Sequence, residues 1–357
     1  MKESVKKGRD SNIELLRILA AAAVVVLHYN NPYMGGAIDV AEGINHHALM
    51  LMECLSVSAV NIFVMISGYF MCTNNKRSVL KPLELIIQVI LVSEALYLMS
   101  VILEGRELTF GSVLDNLVPR NWFVILYSVL YLCSPFLNIV WERVKKAGFE
   151  KRFIVIIMIL FSVLPTLVDV VGEFTDIDLT GMSTVGAYGS QMGYTAINFF
   201  LVYFIGAYLR DREVKGSFLR YGVLVAGLFF WTWAEQTEFI YMTGWEYCNP
   251  LVIGLAAESL LIFRGFRIGS KAWINSLAKA SFMVYLMHSK FLSFIHIADF
   301  ARENVFVMLG HLLVSVIGIY LVCWVAWLLY DLIISRIIKN TLGKTRLAND
   351  LFSKLSL

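Results

Sequence analysis

Of 357 residues, 58% are hydrophobic and 16% charged, with a mean hydropathy of +0.70; soluble globular chains run at about 45–50% and about 25%. No polar segment is long enough to build a large soluble domain, and the net charge of +3 is small. The composition is that of a polytopic membrane protein, with no repeats, no low-complexity tract, no P-loop and no nucleic-acid signature.

The chain opens on MKESVKKGRD, whose charge suits a signal peptide. Glu14 and Arg17 inside the following apolar run, and the lack of a convincing cleavage pattern after it, predict a retained first helix instead. Apolar runs separated by charged breaks then predict an all-α chain of about ten transmembrane helices. They lie near 12–30, 47–72, 83–103, 121–141, 152–171, 194–209, 218–235, 247–264, 275–296 and 304–334. Residues 1–357 read as a single integral membrane domain.

Charge alternates along these breaks. Lys and Arg fill the N-terminus, the stretch Lys76, Arg77 and Lys81, then 143–152, 210–215, 264–271 and the tail from Arg336. The breaks at 31–46, 172–193 and 236–246 contain neither, although they carry Asp and Glu. The positive-inside bias places both termini in the cytoplasm. Residues 1–11 become a cytoplasmic N-terminal segment and 335–357 a cytoplasmic tail, of a multi-pass protein of the cell membrane. The longest break without Lys or Arg, VGEFTDIDLTGMSTVGAYGSQMG, reads either as a flexible connector or as a loop lining an outward-facing acceptor site.

The first span, RILAAAAVVVLHYN, holds Arg17 and His28. Eleven residues separate them, and eleven steps of about 100° return to within roughly 20° of the start, about 16 Å along the axis. One face of the helix therefore carries a cation in its cytoplasmic half and an imidazole near its outer third. Arg17 can snorkel or pair with Glu14, and His28 can bond a backbone carbonyl; ionisable groups within spans are otherwise functional candidates. Glu53, Glu94 and Glu258 are costly against lipid and are expected to point inward. The five cysteines, odd in number and without CxxC spacing, read as small core residues. His46 and His47 are adjacent, without ligand spacing, and no metal site is expected.

Arg17, ten intervening residues and His28 resemble the R-x10-H signature of the acyltransferase 3 family of bacterial membrane acyltransferases. Four further segments resemble that family's motifs in order: NIFVMISGYF (61–70), NWFVILYSVLYLCSPFLN (121–138), GYTAINFFLVYFIGAYLR (193–210) and SFMVYLMHSKF (281–291). The resemblance covers roughly residues 10 to 330. It implies transfer of an acyl group, usually acetyl, from cytosolic acyl-CoA to a hydroxyl of an envelope glycan or lipid-linked sugar. Acetyl-CoA or another acyl-CoA is then the co-substrate, without a metal, and the partners are the bilayer and the saccharide acceptor. His28 becomes the general base for the acceptor hydroxyl, a role that a neutral imidazole suits. Arg17 becomes the partner of CoA phosphate or of the thioester arm. Any of the three buried glutamates is a candidate for holding the His28 tautomer.

The chain departs from the family's R-x-x-R pair after the S-G-Y segment, offering Lys76, Arg77 and Lys81 in CTNNKRSVLK. These either bind CoA phosphates or anchor the helix by the positive-inside rule. Ser67, Gly68 and Tyr69 suit close approach to the first helix, and Ser67 also suits orientation of the thioester. Trp122 is an interfacial belt residue or a wall of the acyl path. His288 fits the late histidine segment, as a structural hydrogen-bonder or as part of the path. Two other classes compete: an exporter of a glycan or lipid precursor, and a sensory or scaffold module. An exporter built on inverted repeats or broken helices would leave traces, and none is clear in the sequence.

Overall fold

The computed structural model describes residues 11–175, 177–235 and 242–341. The expectations for residues 1–10 and for 342–357 lie outside them. Among the described residues the fold is all helical, as expected.

The first helix, Ser11–Asn30, is the hub. It packs against Gly43–Ser56, Ala59–Met71, Pro250–Gly265, Ala272–Lys279, Ser281–Leu292 and Val305–Tyr330. Its alanines allow that, since Ala20 and Ala21 are each 1% exposed and small side chains let helices approach. Around the hub stand the longer helices Leu80–Glu104 and Trp122–Lys146, and Glu150–Thr175 with a π turn at Ile159–Val163.

Several helix starts carry the residue that propensity favours there. Asn121, Thr195, Asn249 and Asn304 each accept a hydrogen bond from a first-turn N–H, and Pro250 follows Asn249 at the first helical position. Helix 122–146 contains Pro135, which removes the donor to the Tyr131 carbonyl. Ser134 Oγ donates to that carbonyl instead, at 2.7 Å.

Among the described residues, seven helices are long and apolar enough to cross a membrane: Ser11–Asn30, Gly43–Met71, Leu80–Glu104, Trp122–Lys146, Glu150–Thr175, Thr243–Gly265 and Val305–Ile334. The other three expected spans differ. The span near 194–209 is the 15-residue helix Ala196–Arg210, about 22 Å long and short of a hydrocarbon core of about 30 Å. It is enclosed by protein, with Val202, Tyr203 and Ala207 fully buried, so irregular backbone can complete its path. The span near 218–235 is Phe218–Glu235, less apolar because it carries Arg220 in its first turn and ends at Glu235. The span near 275–296 breaks at Ala280 into Ala272–Lys279 and Ser281–Leu292. The span near 47–72 begins at Gly43 and is interrupted between Ser56 and Ala59.

The tightest crossing joins helix 59–71 to helix 196–210. A Cβ on Gly68 would run into the Tyr203 carbonyl, and one on Gly206 into the Met65 carbonyl. The S-G-Y glycine thus serves this crossing rather than the expected approach to the first helix.

Candidate active site

Arg17 and His28 lie on one helix but line two different cavities. The first, of about 400 Å³, is lined by Arg17, Lys81 and Lys279, with Ser67, Phe123 and Tyr285 among the other walls, and no carboxylate lines it among the described residues. Three cations in a partly apolar recess attract an anion. Glu14 accepts from Arg17 Nη1, at 3.2 Å to each carboxylate oxygen. Ser67 Oγ donates to the Phe63 carbonyl at 2.9 Å and lies 3.4 Å from the Tyr127 hydroxyl. Lys279 sits 5.7 Å from the centre of the Trp327 ring. Sequence reasoning did not single out Lys279; a lysine inside an expected span was the available signal.

The second cavity, about 240 Å³, is lined by His28, Asn31, Glu53 and Glu246 together with Tyr194, Tyr247 and Trp245. Apart from Glu53, which lies within helix 43–56, these residues come from the breaks without Lys or Arg and from the chain beside them. His28 Nδ1 is hydrogen-bonded to Nε2 of His288, and the two rings are nearly parallel, 4.6 Å apart and 16° from coplanar. His288 is 3% exposed, and its Nδ1 lies 2.8 Å from the Val284 carbonyl. Glu53 accepts from Asn30 Nδ2 at 2.8 Å.

A chain of ring contacts runs from one cavity to the other. Phe123 and Tyr285, walls of the first, have centroids 5.2 Å apart. Trp122 lies 6.0 Å from Phe123, 4.4 Å from Tyr194 and 5.9 Å from Tyr247, the last two being walls of the second.

A third, more open cavity of about 540 Å³ is lined by Asp169, Glu173 and Asp178, and shares Met192 and Glu246 with the His28 cavity. Hydrogen bonding from Thr180 holds the Asp178 carboxyl below its ordinary value. The long break at 172–193 thus contributes Met192 to the histidine cavity, and the Met192 carbonyl accepts from Tyr247 N–H at 3.0 Å.

The remaining candidates lie apart from both of the cavities along the first helix. Tyr69 packs under the Arg210 guanidinium, 5.6 Å from its ring centre, and its carbonyl accepts from Arg210 at 2.7 Å. Arg77 is 4% exposed. Its Nε donates to Ser134 Oγ at 2.6 Å, Nη1 to the Lys76 carbonyl at 2.7 Å and Nη2 to the Met71 carbonyl at 3.2 Å. Lys76 is exposed and lines neither of these two cavities. Of the three glutamates, Glu258 accepts from Arg220 Nε at 2.6 Å and from Ser217 N–H at 3.0 Å, and Glu94 lies 3.5 Å from Asn116 Nδ2. The group hydrogen-bonded to His28 is a second histidine rather than any of them.

Compared with known proteins, the chain matches a family described as an acyltransferase domain, over residues 10–331. No curated protein and no solved structure matches it.

Proposed function

The chain belongs to the acyltransferase 3 family, and from that premise we propose that this membrane acyltransferase moves an acyl group from cytosolic acyl-CoA to a saccharide hydroxyl across the bilayer. Acetyl-CoA is the proposed donor, and the acceptor is an envelope glycan or a lipid-linked sugar at the outer face of a bacterial cytoplasmic membrane. The observation that carries this reading is that one helix presents a cation to one cavity and an imidazole to another.

In this reading both termini are cytoplasmic, and the cavity with Arg17, Lys81 and Lys279 opens to the cytosol. The phosphates of CoA sit among these cations, with Arg17 suited to a fork of hydrogen bonds. The pantetheine arm runs past Ser67 toward the aromatic chain, bringing the thioester to the His28 side. The acceptor enters among Tyr194, Trp245 and Tyr247, whose rings suit the apolar faces of a sugar, while Glu53 and Glu246 accept from its hydroxyls. His28 takes the proton of the attacking hydroxyl as its oxygen bonds to the thioester carbon. The carbon–sulfur bond breaks, CoA leaves as thiolate, and the imidazolium returns the proton to it. Placing donor and acceptor from opposite sides at one base converts a two-body encounter into a local reaction.

The test is mass spectrometry of base-labile O-acyl groups on extracted envelope glycans. Cells lacking the protein are compared with cells carrying wild type or His28→Ala at equal membrane abundance. Acyl groups present only with wild type support the transferase and identify its acceptor. Acylation fully restored by His28→Ala would remove His28 from the mechanism.

A further inference from the structure

We infer that His288 is the positioning residue that fixes the His28 tautomer, leaving Nε2 of His28 as the nitrogen that takes the acceptor's proton. The inference rests on the reading of His28 as the base, and adds which nitrogen acts and what holds it.

The argument starts from a backbone carbonyl, which only accepts. His288 Nδ1 lies 2.8 Å from the carbonyl of Val284, four residues earlier on the same helix, so Nδ1 carries the hydrogen. A neutral imidazole has one N–H, and His288 Nε2 therefore presents a lone pair. The nitrogen facing it is His28 Nδ1, which must supply the proton. That places the single hydrogen of neutral His28 on Nδ1 and its lone pair on Nε2.

The alternatives are costly. With His28 protonated on Nε2, two lone pairs would face each other in a buried contact. With His288 doubly protonated, a 3% exposed cation would have no carboxylate hydrogen-bonded to it among the described residues. The contact also serves both halves of the cycle. Once His28 has taken a proton on Nε2, its Nδ1–H still donates to His288, and the bond becomes charge-assisted. The backbone of helix 281–292 thus sets a proton position on helix 11–30, as an orienting partner does for a catalytic histidine.

Two variants separate this role from packing. His288→Gln places an amide oxygen near the former Nε2 and keeps an acceptor for His28. His288→Leu keeps bulk and removes the acceptor. In lipid vesicles, the Leu variant is expected to lower kcat by roughly 100-fold or more, with KM for acyl-CoA within about twofold of wild type, while Gln restores kcat to within roughly tenfold.

The direct readout is the ring ¹⁵N spectrum of histidine-labelled protein, with the His28 signals assigned by their loss in His28→Gln. Wild type is expected to show His28 protonated on Nδ1, and His288→Leu a mixture of tautomers. His28 protonated on Nε2 in wild type would overturn the inference. So would Leu and Gln variants with equal kcat. Should wild type transfer no acyl group at all, the transferase reading fails while the tautomer result still stands or falls by the spectrum.

Discussion

Arginine and lysine side chains here do two different jobs, and their partners distinguish them. Arg17 gives one amino group to Glu14 and faces a cavity with Lys81 and Lys279. Replacing Arg17 with Lys keeps the charge and loses the fork, so KM for acyl-CoA is expected to rise roughly tenfold with kcat little changed; an acyl-CoA titration of vesicle-bound enzyme measures it. Arg77 instead spends Nε on Ser134, whose hydroxyl covers the carbonyl that Pro135 leaves unbonded. Its guanidinium also lies 5.3 Å over the Tyr131 ring. Arg77→Ala is therefore expected to cost roughly 1.5–3 kcal/mol of stability, read as a lower melting temperature in detergent, with KM for acyl-CoA unmoved. Lys279→Ala should show the opposite pattern. The sequence exposed Arg17 and His28 because ionisable groups inside an apolar run stand out. It left Arg77 between two readings, because a basic residue after a span looks the same whether it faces solvent, ligand or a proline turn.

Helix pairs show what small residues do when there is little water to exclude. Gly68 and Gly206 each face a backbone carbonyl of the other helix, so the crossing leaves no room for a methyl group. Gly68→Ala is expected to destabilise by about 1–3 kcal/mol or more through overpacking. Gly318, with nothing near the place where a Cβ would stand, provides the contrast: Gly318→Ala should gain about 0.5–1 kcal/mol. Thermal unfolding of both in the same detergent checks the pair. Both glycines of the crossing sit in segments whose motifs were readable, S-G-Y and G-A-Y-L, yet the partner of Gly68 was not. A glycine in a span marks a close approach without naming the helix that approaches. The short helix 196–210 has the same lesson in length: hydropathy expects every apolar run to meet lipid, whereas this one is walled by protein.

For the chain as a whole, orientation is the property on which the proposed reaction depends. Cysteine placed at Tyr33, 77% exposed in a break without Lys or Arg, is expected to react with an impermeant maleimide added outside intact cells. Cysteine at Lys215, exposed in a basic break, is expected to react only after permeabilisation. A Cys133→Ser background suits the experiment, since the other four native cysteines are buried. Labelling of both positions from the same side would refute the two-sided arrangement.

Composition, the positions of charge within apolar runs and an ordered set of short motifs were enough for the all-α membrane class and the family, and helical spacing was enough to single out Arg17 and His28 on the first helix. These properties are local, depending on residues a few turns apart on one helix, where 3.6-residue geometry relates position to direction. The meeting of His28 with His288, 260 positions away, the cavity that Lys279 completes, and the inward clamp made by Arg77 are not local. They depend on which helices pack together and at what depth, and packing is set by the fit of whole surfaces that no single stretch of sequence contains.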